Sequence, residues 1–148
     1  MHLRYDLHEH GWATVTFRKG DANVSFPASY ISDPLRDLAV QTLALLRGEP
    51  VAPIMFMEEP GQHDLRLERI GAEDVDVLVE WREDYDRHSR RRGTEVFRAR
   101  TSIRRFAEQV SAELERLWAE HGADGYRTRW KSDFPEREHR NLHRLVQL

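Results

Sequence analysis

Two runs of opposite charge meet in the middle of this 148-residue sequence. Residues 73–86 carry seven acids (Glu73, Asp74, Asp76, Glu80, Glu83, Asp84, Asp86) against Arg82, a net of −6. Residues 87–105 carry eight arginines (87, 90, 91, 92, 98, 100, 104 and 105) against Glu95, a net of +7. Guanidinium groups at that density suit an oxyanion, because their planar fork donates two parallel hydrogen bonds to a phosphate or carboxylate. Arg104 and Arg105 also fall where a helix is predicted to begin, so its free amides would share the ligand. Arg98, Arg104 and Arg105 are therefore the candidate anion site. The competing and favoured explanation is neutralisation within one hairpin. If Val79 faces Phe97 and Val77 faces Ala99 on the buried side, Asp76 stands opposite Arg100 and Glu80 lies diagonal to Arg98. That pairing leaves Arg90, Arg91, Arg92, Arg104 and Arg105 unmatched.

Other chemistry-bearing residues are sparser. His8 and His10 lie two apart on a predicted strand, and His139 and His143 four apart on a predicted helix, spacings that place each pair on one face. No Cys completes either pair, since the chain has none, and His8-Glu9-His10 is not the metalloprotease pattern. Surface histidines are the expectation, with no metal and no cofactor. Asp74 and Asp76 share a strand face, which pairing with Arg100 explains. The sequence contains no G-x-S-x-G elbow, phosphate loop or dinucleotide fingerprint, so no catalytic residue is assigned and catalysis is not expected.

The elements that must position these residues follow from hydrophobic period. Leu3, Tyr5 and Leu7 alternate with polar residues, as do Ala13, Val15 and Phe17 beyond the turn at His10-Gly11, which is a β-hairpin pattern. Val24 and Phe26 give a short third strand that Pro27 is expected to stop. Ser32 or Asp33 ahead of Pro34 marks a helix start, and Leu35, Leu38, Ala39, Thr42, Leu45 and Leu46 form its apolar face before Gly48. Four more strands are predicted: Val51–Met57, the run around Leu65 and Leu67, the run Val75 to Trp81, and Glu95 to Arg100. A polar loop spans residues 82–93. Ile103, Phe106, Ala107, Val110, Leu114, Leu117 and Trp118 recur at spacings of three and four, predicting a helix over 102–121 with Gly122 at its end. Tyr126, Trp130 and Phe134 form an aromatic segment, and a last short helix begins near Pro135.

That order, βββαββββαα, predicts an α+β fold: a single twisted antiparallel sheet of about six or seven strands with the helices packed on one face. The length suits a single domain over residues 1–148. A content of 39% hydrophobic and 33% charged residues excludes the compositions typical of disorder. The N-terminal residues lack an apolar signal core and no apolar run could span a bilayer, so a cytoplasmic protein is expected, with no membrane partner. A net charge of −3 gives no reason to expect nucleic acid. The uncovered face of the sheet is then the natural interaction surface. Trp12, Thr14 and Leu78 are predicted on it, with Arg90, Arg91 and Arg92 in the adjoining loop.

Residues Tyr30 to Gly61 contain Tyr-Ile-Ser-Asp-Pro-Leu-Arg-Asp-Leu, then Leu-Leu-Arg-Gly, then Phe-Met-Glu-Glu-Pro-Gly. This stretch resembles a signature of small bacterial proteins of unknown function, and Gly125-Tyr126, Trp130 and Phe134-Pro135 are similar to their close. The architecture also resembles that of small immunity proteins that neutralise toxins. The resemblance implies a non-enzymatic domain that binds another protein, of immunity or accessory type. The alternative is a small enzyme, or an anion or nucleotide binder, at the arginine cluster near the start of the 102–121 helix.

Overall fold

The computed structural model describes residues 1–83 and 93–148. Arg90, Arg91 and Arg92 lie outside the described residues. The strands are β1 (His2–Leu7), β2 (Trp12–Lys19), β3 (Ala22–Ser29), β4 (Val51–Met57), β5 (Gln62–Ile70), β6 (Asp74–Arg82) and β7 (Thr94–Ser102). The helices are α1 (Pro34–Leu46), α2 (Ile103–Trp130) and α3 (Glu136–Val146), and the element order is the predicted one.

The seven strands do not form one sheet. They form two antiparallel sheets, β1-β2-β3 and β4-β5-β6-β7, with α1 carrying the chain from the first to the second. The apolar faces of the two sheets meet each other. Phe17 of β2 lies 5.9 Å from Phe97 of β7, and Phe26 of β3 lies 5.2 Å from Phe56 of β4, ring centre to ring centre. Each sheet thus supplies much of the cover that the expected fold assigned to helices, and both keep an outward polar face. The register is as predicted where charge was the guide: Val79 pairs with Phe97, Val77 with Ala99, and Asp76 with Arg100. A bulge then interrupts β6 and β7 after Val79, so that Glu80 pairs with Glu95.

Pro27 does not end β3, which runs on to Ser29. An edge strand needs ladder bonds on one side only, and β3 is an edge of its sheet, so a residue without an amide proton is tolerated there.

Helix α2 begins as expected: the Ser102 hydroxyl accepts from the Arg105 amide at 3.0 Å. At Gly122 the backbone leaves helical geometry (φ 67, ψ −179) and then resumes it to Trp130. The aromatic segment is therefore the last two turns of a kinked helix, with Tyr126 and Trp130 buried in the core. Earlier in α2, three side chains occupy the free edge of β1. Gln109 Oε1 accepts from the Leu3 amide (3.2 Å) and Glu113 Oε2 from the Tyr5 amide (3.0 Å). Arg116 donates to the Tyr5 carbonyl and to Glu113, 2.6 Å away. Spacings of four and three put the three side chains on one helix face, where they act as a polar edge for the strand and close it to another chain. None of the described helices is long and apolar enough to cross a membrane.

Candidate partner-binding surface

The outer face of the four-stranded sheet is a lattice of paired charges. Arg100 meets Asp76 at 2.8 Å, Arg98 meets Glu95 at 2.9 Å, Arg66 meets Glu68 at 2.6 Å, and Arg82 meets Asp64 at 3.6 Å. The Arg100 guanidinium holds the Asp76 carboxyl below the usual carboxylate range. Leu78 occupies this face, as expected, but is only 7% exposed. Its cross-strand neighbours are Arg66 and Arg98, long side chains of a type whose methylene stems shield apolar surface while the charged ends stay in water. The expected anchor is thereby hidden from a partner.

The three candidate anion ligands are not joined in one site. Arg98 engages Glu95, whereas Arg104 engages Glu108 (3.1 Å) and donates to the Val146 carbonyl (2.9 Å) at the end of α3. Arg105 is exposed at the start of α2. Of the histidine pairs, His139 and His143 keep their rings 6.2 Å apart. His8 Nε2 bonds the Thr14 hydroxyl at 2.7 Å. His139, expected on the surface, is buried against Phe134 with Nε2 3.0 Å from Glu115. Among the described residues no group of three or more potential metal ligands converges.

A different surface emerges at one end of the three-stranded sheet. Tyr30 and Ile31, just beyond β3, are 53% and 54% exposed, among the most exposed large apolar side chains of the described residues. Tyr30 is anchored through Gly11. The Tyr30 amide donates to the Gly11 carbonyl at 2.9 Å, and the Tyr30 ring lies so near Gly11 that a Cβ there would stand 2.5 Å from Tyr30 Cδ1. Only glycine permits that approach, at a φ of +76 that side chains disfavour. Trp12, half-buried, follows Gly11 and pairs with Ser29, while Thr14 pairs with Pro27.

The Gly11 amide in turn donates to the Arg129 carbonyl at 2.7 Å, drawing the end of α2 to the same place. The result is a cleft of about 360 Å³ lined by Glu9, His10, Thr128, Arg129 and Lys131. Its lining carries one more cation than anion with His10 neutral. Both non-glycine residues with positive φ among the described residues, His10 (61°) and Lys131 (90°), line it. Lys131 adopts this conformation as the left-handed cap of α2. An apolar pair beside a basic rim is the arrangement common to protein-binding hot spots, where an aromatic anchor is flanked by polar groups.

The alternation of β2 predicts Trp12 on the outer face of its hairpin, where it is half-buried. Tyr30 and Ile31 were not legible as part of this surface, because exposure in a turn leaves no periodic mark. The turn Glu58-Glu59-Pro60-Gly61 conceals another feature. Glu58 Oε2 lies 2.9 Å from His63 Nδ1, and the imidazole stacks on Phe26 with ring centres 4.0 Å apart. Burial pushes the His63 pKa down to about 4 and that of Glu58 up. An imidazole stacked on Phe26 with its Nδ1 against Glu58 reads as packing.

No family model matches the chain, and no curated protein or solved structure is similar to it.

Proposed function

We propose that the protein is a non-enzymatic binding domain, of the immunity or accessory type, that engages another protein through the surface around Tyr30. One observation carries this reading: two consecutive large apolar side chains, Tyr30 and Ile31, are each more than half exposed, and Tyr30 packs on Gly11, whose amide bonds Arg129 of a basic cleft. Leaving such a pair in water is unfavourable, whereas its burial in an interface repays roughly 25 cal/mol per Å². The rim charge of Arg129 and Lys131 favours an acidic patch on the partner. Trp12 and Thr14 extend the surface along the sheet.

The alternative is an anion binder or small enzyme at Arg98, Arg104 and Arg105. It has less support, since Arg98 and Arg104 already have carboxylate partners.

Site-specific photo-crosslinking tests the proposal. With a benzoyl-phenylalanine at Tyr30, and separately at the exposed Val51 on the far sheet, a discrete protein adduct is expected in extract of the source cells from the first position only. Adducts of equal yield from both positions, or from neither, overturn it.

A further inference from the structure

Away from the Tyr30 surface, α1, the kinked end of α2 and α3 enclose an open groove of about 540 Å³. Its existence follows from Gly122. The break there turns the last two turns of α2 so that Tyr126 and Trp130 enter the core while Ala123 and Arg127 line the groove. On its wall Trp118 and Phe134 lie 5.1 Å apart at 42°. Phe134 is packed edge-on by Tyr126 (5.3 Å) and His139 (5.7 Å), and Trp118 is partly buried against the core while lining the groove.

Four arginines line the groove, and they divide into two kinds. Arg36 is bound to Glu138 (3.1 Å) and Asp33 (3.4 Å), and Arg127 to Asp133 (2.6 Å), so these two build the walls. Arg137 and Arg140 are exposed, three residues apart on α3, and among the described residues no carboxylate pairs with either. Glu136 is the remaining acid of the lining, so the groove keeps one net positive charge. That balance does not suit a polyanion, whose binding needs several uncompensated cations. It suits a small molecule with one anionic group, and the volume is that of a small-molecule site.

We infer that this groove binds a small ligand made of a flat ring and a single oxyanion group, the ring lying on Trp118 beside Phe134 and the oxyanion held by Arg137 and Arg140. Two guanidinium forks at a spacing of three residues reach one phosphate or carboxylate together. The aromatic wall supplies the stacking surface that gives a ring-bearing ligand its advantage over the bare ion. This site is separate from the protein-binding surface, and its success or failure leaves that reading untouched.

Calorimetric titration of the full chain decides it, with adenosine monophosphate, indole-3-acetate, adenosine and inorganic phosphate as probes, followed in parallel by tryptophan fluorescence. At least one ring-bearing anion is expected to saturate with a Kd below about 1 mM, and adenosine and phosphate to bind at least about tenfold more weakly. Binding of the nucleotide alone assigns a phosphate group, of the indole acid alone a carboxylate, and either supports the site. Arg137→Ala/Arg140→Ala is expected to weaken binding at least about tenfold at an unchanged melting temperature, since both side chains are exposed. Trp118→Leu is expected to abolish the ligand-induced fluorescence change. Saturation by neither ring-bearing anion, equal binding of inorganic phosphate, or unchanged affinity in the double variant overturns the inference.

Discussion

His63 shows how a single side chain ties the protein's stability to pH. Its ring is sandwiched between Phe26 and Trp81, with centres 4.0 and 4.9 Å away, and burial lowers its pKa from 6.5 to about 4. The folded chain therefore holds the imidazole neutral at pH values where the unfolded chain would protonate it. Between those two pKa values the unfolded state binds more protons, so stability is full above pH 6.5 and is lost as pH falls towards 4. His121 and His139, also depressed by burial, act in the same direction. Glu58 opposes them, because burial raises its pKa and the fold then favours its protonated form. The melting temperature is expected to fall between pH 7 and pH 4.5. His63→Phe, which keeps the ring stack and removes the proton, should flatten that fall. A variant profile parallel to the wild type would assign the effect to the other histidines. Nothing in the sequence marks His63 out, since its neighbours in the strand are polar and the ring stacked on it, Phe26, comes from the other sheet.

At the scale of elements, α2 was the most legible part of the chain and also holds its clearest departure. The repeat from Ile103 to Leu117 gives the face that is buried, because one helical period fixes which side chains share a side, whereas Trp118, read as part of that face, is only partly buried and lines the groove. Gly122 was legible as a break, but the continuation beyond it was not. Tyr126 and Trp130 resume a four-residue spacing after the kink, and their reason for doing so is a core contributed by other elements. The conformation of Gly122, φ 67 and ψ −179, belongs to a region that essentially only glycine occupies. A Cβ there would touch nothing within 4 Å, so strain alone decides the outcome of a substitution. In a regular helix Gly→Ala stabilises by about 1 kcal/mol. Here Gly122→Ala is expected to destabilise by about 1–3 kcal/mol in chemical denaturation, the cost of that backbone region. A stabilised variant would mean that the kink straightens without penalty. The groove that depends on the kink should then change shape as well.

For the whole molecule, the element order was readable in the sequence and the division into two sheets was not. Alternation states which side of a strand is buried and leaves open what buries it. Phe17, Phe26, Phe56 and Phe97 each read as inward residues, yet only the folded chain shows that they face one another across two sheets. Charge located one pair, since Asp76 and Arg100 meet across β6 and β7, but beyond the bulge Glu80 stands opposite Glu95 and Arg98 engages Glu95 in its place. The joint between the sheets makes a testable demand on cooperativity. Phe26 stacks at 6.4 Å on Phe17 within its own sheet and reaches Phe56 and His63 in the other, and all but His63 belong to one buried hydrophobic cluster that also takes in the three helices. Because neither sheet covers its apolar face alone, losing contact at the joint destabilises both together. Phe26→Ala is expected to cost about 3–5 kcal/mol through lost burial and the cavity left behind. The variant should still unfold in one transition, with the denaturant dependence of the wild type. Two transitions, with one sheet outlasting the other, would show that the sheets are separate folding units and that the stack is only a contact between them.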